Sequence, residues 1–341
     1  MAVTTRAPGE VARLLQPWLD RRQPGARITA VEVPRLGASS ETYLLDVDTG
    51  GGARHWVLRV EASGNQIYQD PSVARQYRMM EELGRTGAVP VPALPALEED
   101  AAVLGQPFFL MERVAGRGLG NDYHVAGFLQ DLPVADRRAA WTNAVKAMAE
   151  LHAEPPERFG FLGWSGGGDA IGQELARWDA YRSWIGLGAS AVIDKARGWL
   201  EAHRPPPQAP ALAWGDARID NLIFAGTEVV AVLDFETASL GGAESDLGWW
   251  IFFDRLMTEG AGLPWLDGLG RPDELIAVWE RFAGRKAAGM DWHCLHAAWR
   301  FALIMGRAQA LAKGTLRDPA CWSAEGNLAT GLLAQMLDEV S

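Results

Sequence analysis

Apolar residues near the start of the chain change their spacing several times, and each change marks an element. Val11, Leu14, Leu15 and Trp18 recur at the three- and four-residue interval of a helix face and Gln23-Pro24-Gly25 closes the run, so residues 1–26 predict a short amphipathic helix. From Ala26 to about Val60 the interval becomes two. ARITAVEVPRL, TYLLDVD and HWVLRVE, with the turn Thr49-Gly50-Gly51-Gly52 before the last of them, predict three strands of an antiparallel sheet. DPSVARQYRMMEELGRTG predicts a helix capped by Asp70, with Pro71 in its first turn and Gly84 or Gly87 at its end. Its inward face would carry Val73, Gln76, Tyr77, Met80 and Leu83, leaving Glu81 in solvent. VPVPALPAL is stiff and extended, and QPFFLMERVAGR reads as a strand running into a glycine-containing connector from Glu112 to Gly116.

Beyond about residue 117 the helical period dominates, in segments around 136–153, 172–201, 272–284, 291–312 and 323–339. The short apolar runs ALAW, NLIF and VVAVLDF interrupt it as strands. Strands gathered at one end and helices at the other predict an α+β fold. The expected organisation is an N-terminal helical extension over 1–26, a small antiparallel-sheet lobe over 27–115, and a larger helical lobe over 116–341.

Composition adds bounds. The 341 residues are 48% hydrophobic and 22% charged, enough apolar material for two cores and unlike a disordered chain. A net charge of −11, from 43 acidic and 32 basic residues with no Lys/Arg run, argues against a nucleic-acid partner. The same acidity would attract a cationic substrate or simply keep the surface soluble. Two cysteines, Cys294 and Cys321, exclude a disulfide framework. Without a signal-like start or an apolar run long enough to span a bilayer, the expectation is a cytoplasmic protein with no membrane partner. Oligomeric state leaves no trace in the sequence.

The chemistry concentrates in WGDARIDNLIFAGTEVVAVLDFE, residues 214 to 236, where Asp216, Asn221 and Asp234 stand five and then thirteen positions apart. Phosphoryl transfer needs an oriented hydroxyl and divalent cations across the nucleotide phosphates. Asp216 would orient the hydroxyl and take its proton, while Asn221 and Asp234 would supply oxygen ligands to Mg²⁺, a hard cation. Any one of the three alone would be read as turn chemistry or a strand end. Together, in this order and flanked by apolar strands, they select the functional reading.

With these residues in hand, WGDARIDNLIF and VLDFETASLGGAESDLGWW resemble the aminoglycoside phosphotransferase/choline kinase superfamily. Within it they are similar to the kinase-like domain fused to some acyl-CoA dehydrogenases. LGASSETYLL, WVLRVE, VPVPALPAL, GQPFFLMERVAGR and MAELHA extend the likeness over about residues 27 to 335. The resemblance implies a bilobal, protein-kinase-like fold with ATP between the lobes and Mg²⁺ beside it. It implies a phosphate-covering loop from Gly37 to Thr42, with Gly37, Ser39 and Ser40 as contacts, and Arg59 on the nucleotide phosphates. Backbone groups of Glu112 to Val114 would meet adenine, with Met111 packed before them, and Asp246 would brace the catalytic loop. Trp214, Arg218, Gln76 and Asp246 are thus assigned to structural support of the site. Trp214 stands where the superfamily commonly has His, Gln76 replaces the Glu that usually pairs with the strand cation, and Glu236 is usual for this branch.

The resulting expectation is an ATP- and Mg²⁺-dependent enzyme that phosphorylates a hydroxyl of a small molecule, aminoglycoside-like or a hydroxyacyl or alcohol metabolite. The alternative is a catalytically weak nucleotide-binding pseudokinase, motivated by Trp214 and Gln76. A protein substrate is disfavoured, because the segment between Asp234 and Asp246 is too short to dock a peptide. His293 and His296 lie one turn apart without an evident third metal ligand, and His152 reads as a packed helix-end residue. Of the 15 tryptophans, Trp249 and Trp250, followed by Ile251, Phe252 and Phe253, and Trp292 and Trp299 read as core. Some would line an apolar acceptor pocket.

Overall fold

The computed structural model describes residues 6–34, 41–64, 66–163, 169–313 and 327–341. The chain divides into two compact units, Met1–Ala115 and Gly116–Ser341. In the first, α1 (Pro8–Arg22) precedes β1 (Arg27–Glu32), β2 (Glu41–Asp48) and β3 (Ala53–Val60). Then come α2 (Val73–Thr86), β4 (Ala96–Glu98) and β5 (Phe108–Glu112). The five strands form one antiparallel sheet in the order β1-β2-β3-β5-β4.

Alternation decides which face each strand residue serves. Tyr43, Leu45 and Val47 of β2 and Trp56, Leu58 and Val60 of β3 are buried with Val11, Leu15, Trp18 and Leu19 of α1 in one core. Arg59, between Leu58 and Val60, therefore falls on the other face, where α2 lies. Tyr77 of α2 meets Phe109, the β5 partner of Arg59, edge-on at 6.1 Å between ring centroids.

The start of α2 differs from expectation. Ser72, not Asp70, is its cap: the Ser72 hydroxyl accepts from the Arg75 N–H at 3.2 Å. Asp70 lies two residues too early and instead accepts from the Ser72 N–H at 3.1 Å and the Arg75 guanidinium at 2.6 Å. The end is as read, at Gly87 with φ of 67°.

The second unit is built of α3 (Val134–His152), α4 (Ala170–Ile185), α5 (Ala191–Ala202), α6 (Ala243–Arg255), α7 (Pro272–Ala283), α8 (Met290–Lys313) and α9 (Leu328–Val340). A hairpin of β6 (Leu222–Ala225) and β7 (Glu228–Val232) is set between α5 and α6. The segment expected as one helix over 172–201 is two, because Gly186 at φ 64° ends α4. Helix α6 had no amphipathic signature because every residue from Ala243 to Asp254 is buried, which erases the stripe. It packs along α8, which packs against α9. Among the described residues no helix is long and apolar enough to cross a membrane.

Candidate active site

The loop between Ala213 and β6 is clamped at its root. Ala213 and Ser239 exchange backbone hydrogen bonds of 2.9 and 3.1 Å, and Gly215 follows at φ 93°. A Cβ at Gly215 would collide with the Thr237 carbonyl, so the close approach of the two segments requires glycine. A single 3₁₀ turn, Ile219–Asn221, then leads into β6.

Donors converge on the Asp216 carboxylate from several directions. The Trp249 indole N–H donates to Oδ1 at 2.6 Å and the Asn221 amide donates to Oδ2 at 2.8 Å, while also reaching the Asp216 carbonyl at 2.9 Å. Arg218 Nη2 donates to Oδ2 at 3.3 Å. Arg218 Nε lies 2.9 Å from Oδ1 but its N–H does not point at that oxygen, so this contact is an ion pair rather than a hydrogen bond. With its amide nitrogen given to Asp216, Asn221 has Oδ1 as the atom that could take a cation.

Arg218 also pairs with Asp220 at 3.1 Å and lies over the Phe253 ring at 4.4 Å. Burial opposes its charge, yet the Asp216 and Asp220 carboxylates outweigh burial and raise its pKa. Burial pushes the Asp220 carboxyl up to about 6, with Asp216 adding to the effect and Arg218 opposing it. Beside this group Tyr123 donates its hydroxyl to Asp254, and His124 Nε2 lies 3.3 Å from the same oxygen.

Asp234 sits just past β7 at φ 60°, the one non-glycine residue in the left-handed region among those described. Its predecessor is held at both polar atoms. The Leu233 N–H donates to the Asn221 carbonyl at 3.0 Å, and the Leu233 carbonyl accepts from the Trp214 indole at 2.7 Å. Trp214, fully buried, thus ties the Asp216 loop to the backbone that carries Asp234. Asn221 and Asp234 offer hard oxygen donors, the type magnesium takes. Among the described residues no three His, Cys, Asp or Glu side chains gather as a metal cage. Oxygen donors of that type suit a magnesium ion held by one or two protein oxygens and substrate phosphates.

Asp246, in the first turn of α6, braces the loop from beneath. It accepts from the Trp214 N–H at 2.5 Å and the Gly215 N–H at 2.8 Å, and His152 Nε2 meets it at 2.8 Å. The Trp279 indole donates to His152 Nδ1 at 2.9 Å, so Nδ1 accepts and Nε2 carries the hydrogen given to Asp246. This chain of contacts joins α3, α6, α7 and the loop. His152 is therefore a satisfied structural histidine.

In the first unit, Arg59 Nη2 donates to the neutral amide oxygen of Gln76, Oε1, at 3.4 Å. Glu112 ends β5 with its N–H given to the Ala93 carbonyl at 2.8 Å, and Val114 follows half-buried. Gly37, Ser39 and Ser40 lie outside the described residues, as does Cys321. His293 and His296 are packing residues: both are buried, and the His296 ring stacks on Trp292 at 4.8 Å.

Two contributors escaped the sequence reading. Trp249 was expected in the core or an acceptor pocket, not as a donor to Asp216. Arg300, 2% exposed, lies over Trp249 and Trp178 at 4.4 and 4.6 Å and donates to the Gly215 carbonyl at 3.3 Å. Only a recurrence of Trp and Arg at these positions in related chains would have hinted at either.

The model of the phosphotransferase enzyme family matches residues 30–285. Acyl-CoA dehydrogenase family member 10 of Mus musculus is 30% identical over 215 residues, 62% of this chain and 19% of that protein. The chain spans between 19% and 39% of the length of the curated relatives it matches. A putative aminoglycoside phosphotransferase from Ralstonia eutropha superposes with a TM-score of 0.70 at 23% identity, covering 96% of this chain and 98% of that one. A thermostable mutant of an aminoglycoside phosphotransferase, in ternary complex with ADP and hygromycin B, gives 0.59 at 19% identity over 95% and 98%. The bilobal, kinase-like α+β architecture read from the sequence is the fold these structures share.

Proposed function

The chain belongs to the phosphotransferase enzyme family, and from that premise we propose that it transfers the γ-phosphoryl group of ATP, with Mg²⁺, to a hydroxyl of a small molecule. The observation that carries this reading is the Asp216 carboxylate, held on one oxygen by Trp249 and on the other by Asn221. Asp216 orients the acceptor hydroxyl and accepts its proton as the new oxygen–phosphorus bond forms and the bond to ADP breaks. Arg218, paired with both Asp216 and Asp220, supports the loop that carries the base. Asn221 Oδ1 and the Asp234 carboxylate would hold Mg²⁺, which would supply positive charge against the nucleotide phosphates.

For the first unit the proposed roles are Arg59, with Gly37, Ser39 and Ser40, on the phosphates. The Glu112 carbonyl and Val114 would meet the base, since the Glu112 N–H is already spent on Ala93. The ADP complex of a structural relative supports ATP as donor. The presence of Asp216, Asn221 and Asp234 together favours an enzyme over a pseudokinase, and Trp214, where the superfamily commonly has His, bonds the Leu233 carbonyl.

Acceptors fall into two groups to be distinguished: aminoglycoside-like sugars, and hydroxyacyl or alcohol metabolites. The test is a screen of both groups for acceptor-dependent ADP release from Mg·ATP, with Asp216→Ala as the blank. At least one compound should raise ADP release by tenfold or more in the native protein and not in the variant. Equal release by native protein and variant with every compound would refute the proposal.

A further inference from the structure

An aspartate that serves as base works only if its carboxylate points at the incoming hydroxyl, and two elements fix the plane of Asp216. Asn221, from the loop itself, holds Oδ2, and Trp249, in the middle of α6, holds Oδ1. Rotation of the carboxylate breaks both bonds at once. The indole is itself immobilised. The Arg300 guanidinium lies between the Trp249 and Trp178 rings at 4.4 and 4.6 Å, while its two terminal nitrogens donate to Ser245 Oγ at 3.1 Å and the Gly215 carbonyl at 3.3 Å. One buried cation thus grips the ring that holds Asp216 and the backbone immediately before it.

Indole N–H groups in this core are treated in two ways: those of Trp214, Trp279 and Trp292 donate to the Leu233 carbonyl, His152 and the Leu200 carbonyl. The buried indole N–H groups of Trp141, Trp178 and Trp299 have no hydrogen-bond partner among the described residues, so this core tolerates indoles placed for their bulk alone. Trp249 is just as buried, 2% exposed, yet spends its N–H on the one carboxylate that also bonds Asn221.

We infer that Trp249 is a positioning residue for phosphoryl transfer: its indole N–H, steadied by Arg300, sets the orientation in which Asp216 receives the acceptor proton. The inference rests on the phosphotransferase reading above. It adds a residue whose loss slows the chemical step while leaving nucleotide binding intact.

The test compares Trp249→Phe with native protein in Mg·ATP turnover, using water as acceptor and the most active compound of the screen. Phe keeps a ring against Arg300 and removes the donor together with part of the indole's bulk. The expected result is a fall in kcat of about 10- to 100-fold with KM for ATP within about twofold, and an unchanged rise in Tm on adding Mg·ATP. In an Asp216→Asn background the same substitution should cost nothing further, because its effect passes through the carboxylate. Placing 3-benzothienylalanine at position 249 keeps the outline of indole with sulfur in place of N–H, and should reproduce the loss.

Undiminished kcat in Trp249→Phe overturns the inference, as does full activity of the benzothienyl protein. So does an equal loss in native and Asp216→Asn backgrounds, which would mark a purely structural residue. Absence of ADP release by native protein with water and every acceptor would instead bring down the phosphotransferase reading, and this inference with it.

Discussion

At the scale of single residues, the candidate site depends on backbone conformations that few side chains permit. Gly215 has φ of 93° and no room for a Cβ beside Thr237, and it stands immediately before Asp216. Gly215→Ala should therefore destabilise the protein by about 2 kcal/mol or more, read as a lower urea midpoint, and should abolish ADP release. An unchanged midpoint would show that the loop relaxes freely. Asp234 sits in the same region of φ without being glycine, and Leu233 is anchored on both sides as if to hold it there. Asp216, Asn221 and Asp234 were legible in the sequence because their chemistry and spacing are local. Trp249 and Arg300 were not, since their contacts with the loop span 33 and 85 positions that only the folded chain brings together.

Elements were legible where one face is buried and the other is not. Strands β2 and β3 alternate and α2 carries a stripe, so both could be read from period alone. Helix α6 escaped because burial on every side leaves no stripe, and the α4–α5 break was missed because only five residues, 186–190, separate two helical runs. The cap of α2 was misplaced by two residues because Asp70 and Ser72 are both capping types and only geometry separates them. Helix α6 nonetheless has the most to do with the site, contributing Asp246 below the loop and Trp249 beside it. Asp246 accepts from two backbone N–H groups and His152. In Asp246→Asn an amide N–H₂ must face one of those donors. The expected cost is about 2–3 kcal/mol, seen as a fall in Tm, together with loss of activity. Native Tm and turnover in this variant would show that the brace is dispensable.

For the whole molecule, acid sensitivity should follow from the histidines buried behind the site. Burial holds His293 down to about 4, with Glu244 opposing and Arg300 adding to the effect, and holds His296 well below its usual value. Near pH 7 both states are neutral and nothing is lost. As pH falls below about 6.5 the unfolded chain binds protons that the folded one refuses, so stability declines down to about pH 4, by about 3 kcal/mol for His293 alone. Urea unfolding at pH 7.0 and 4.5 should show a smaller decline for His293→Met than for native protein. Equal declines would contradict this assignment. The proposed transfer uses Asp216 as the base that takes the hydroxyl proton, with phosphate passing directly from ATP to the acceptor. It is tested most directly by incubating native protein and Asp216→Ala with γ-phosphate-labelled ATP, Mg²⁺ and the best acceptor from the screen. Label should pass to the acceptor only in the native protein, although both proteins gain Tm with Mg·ATP; transfer by Asp216→Ala at the native rate would contradict the account.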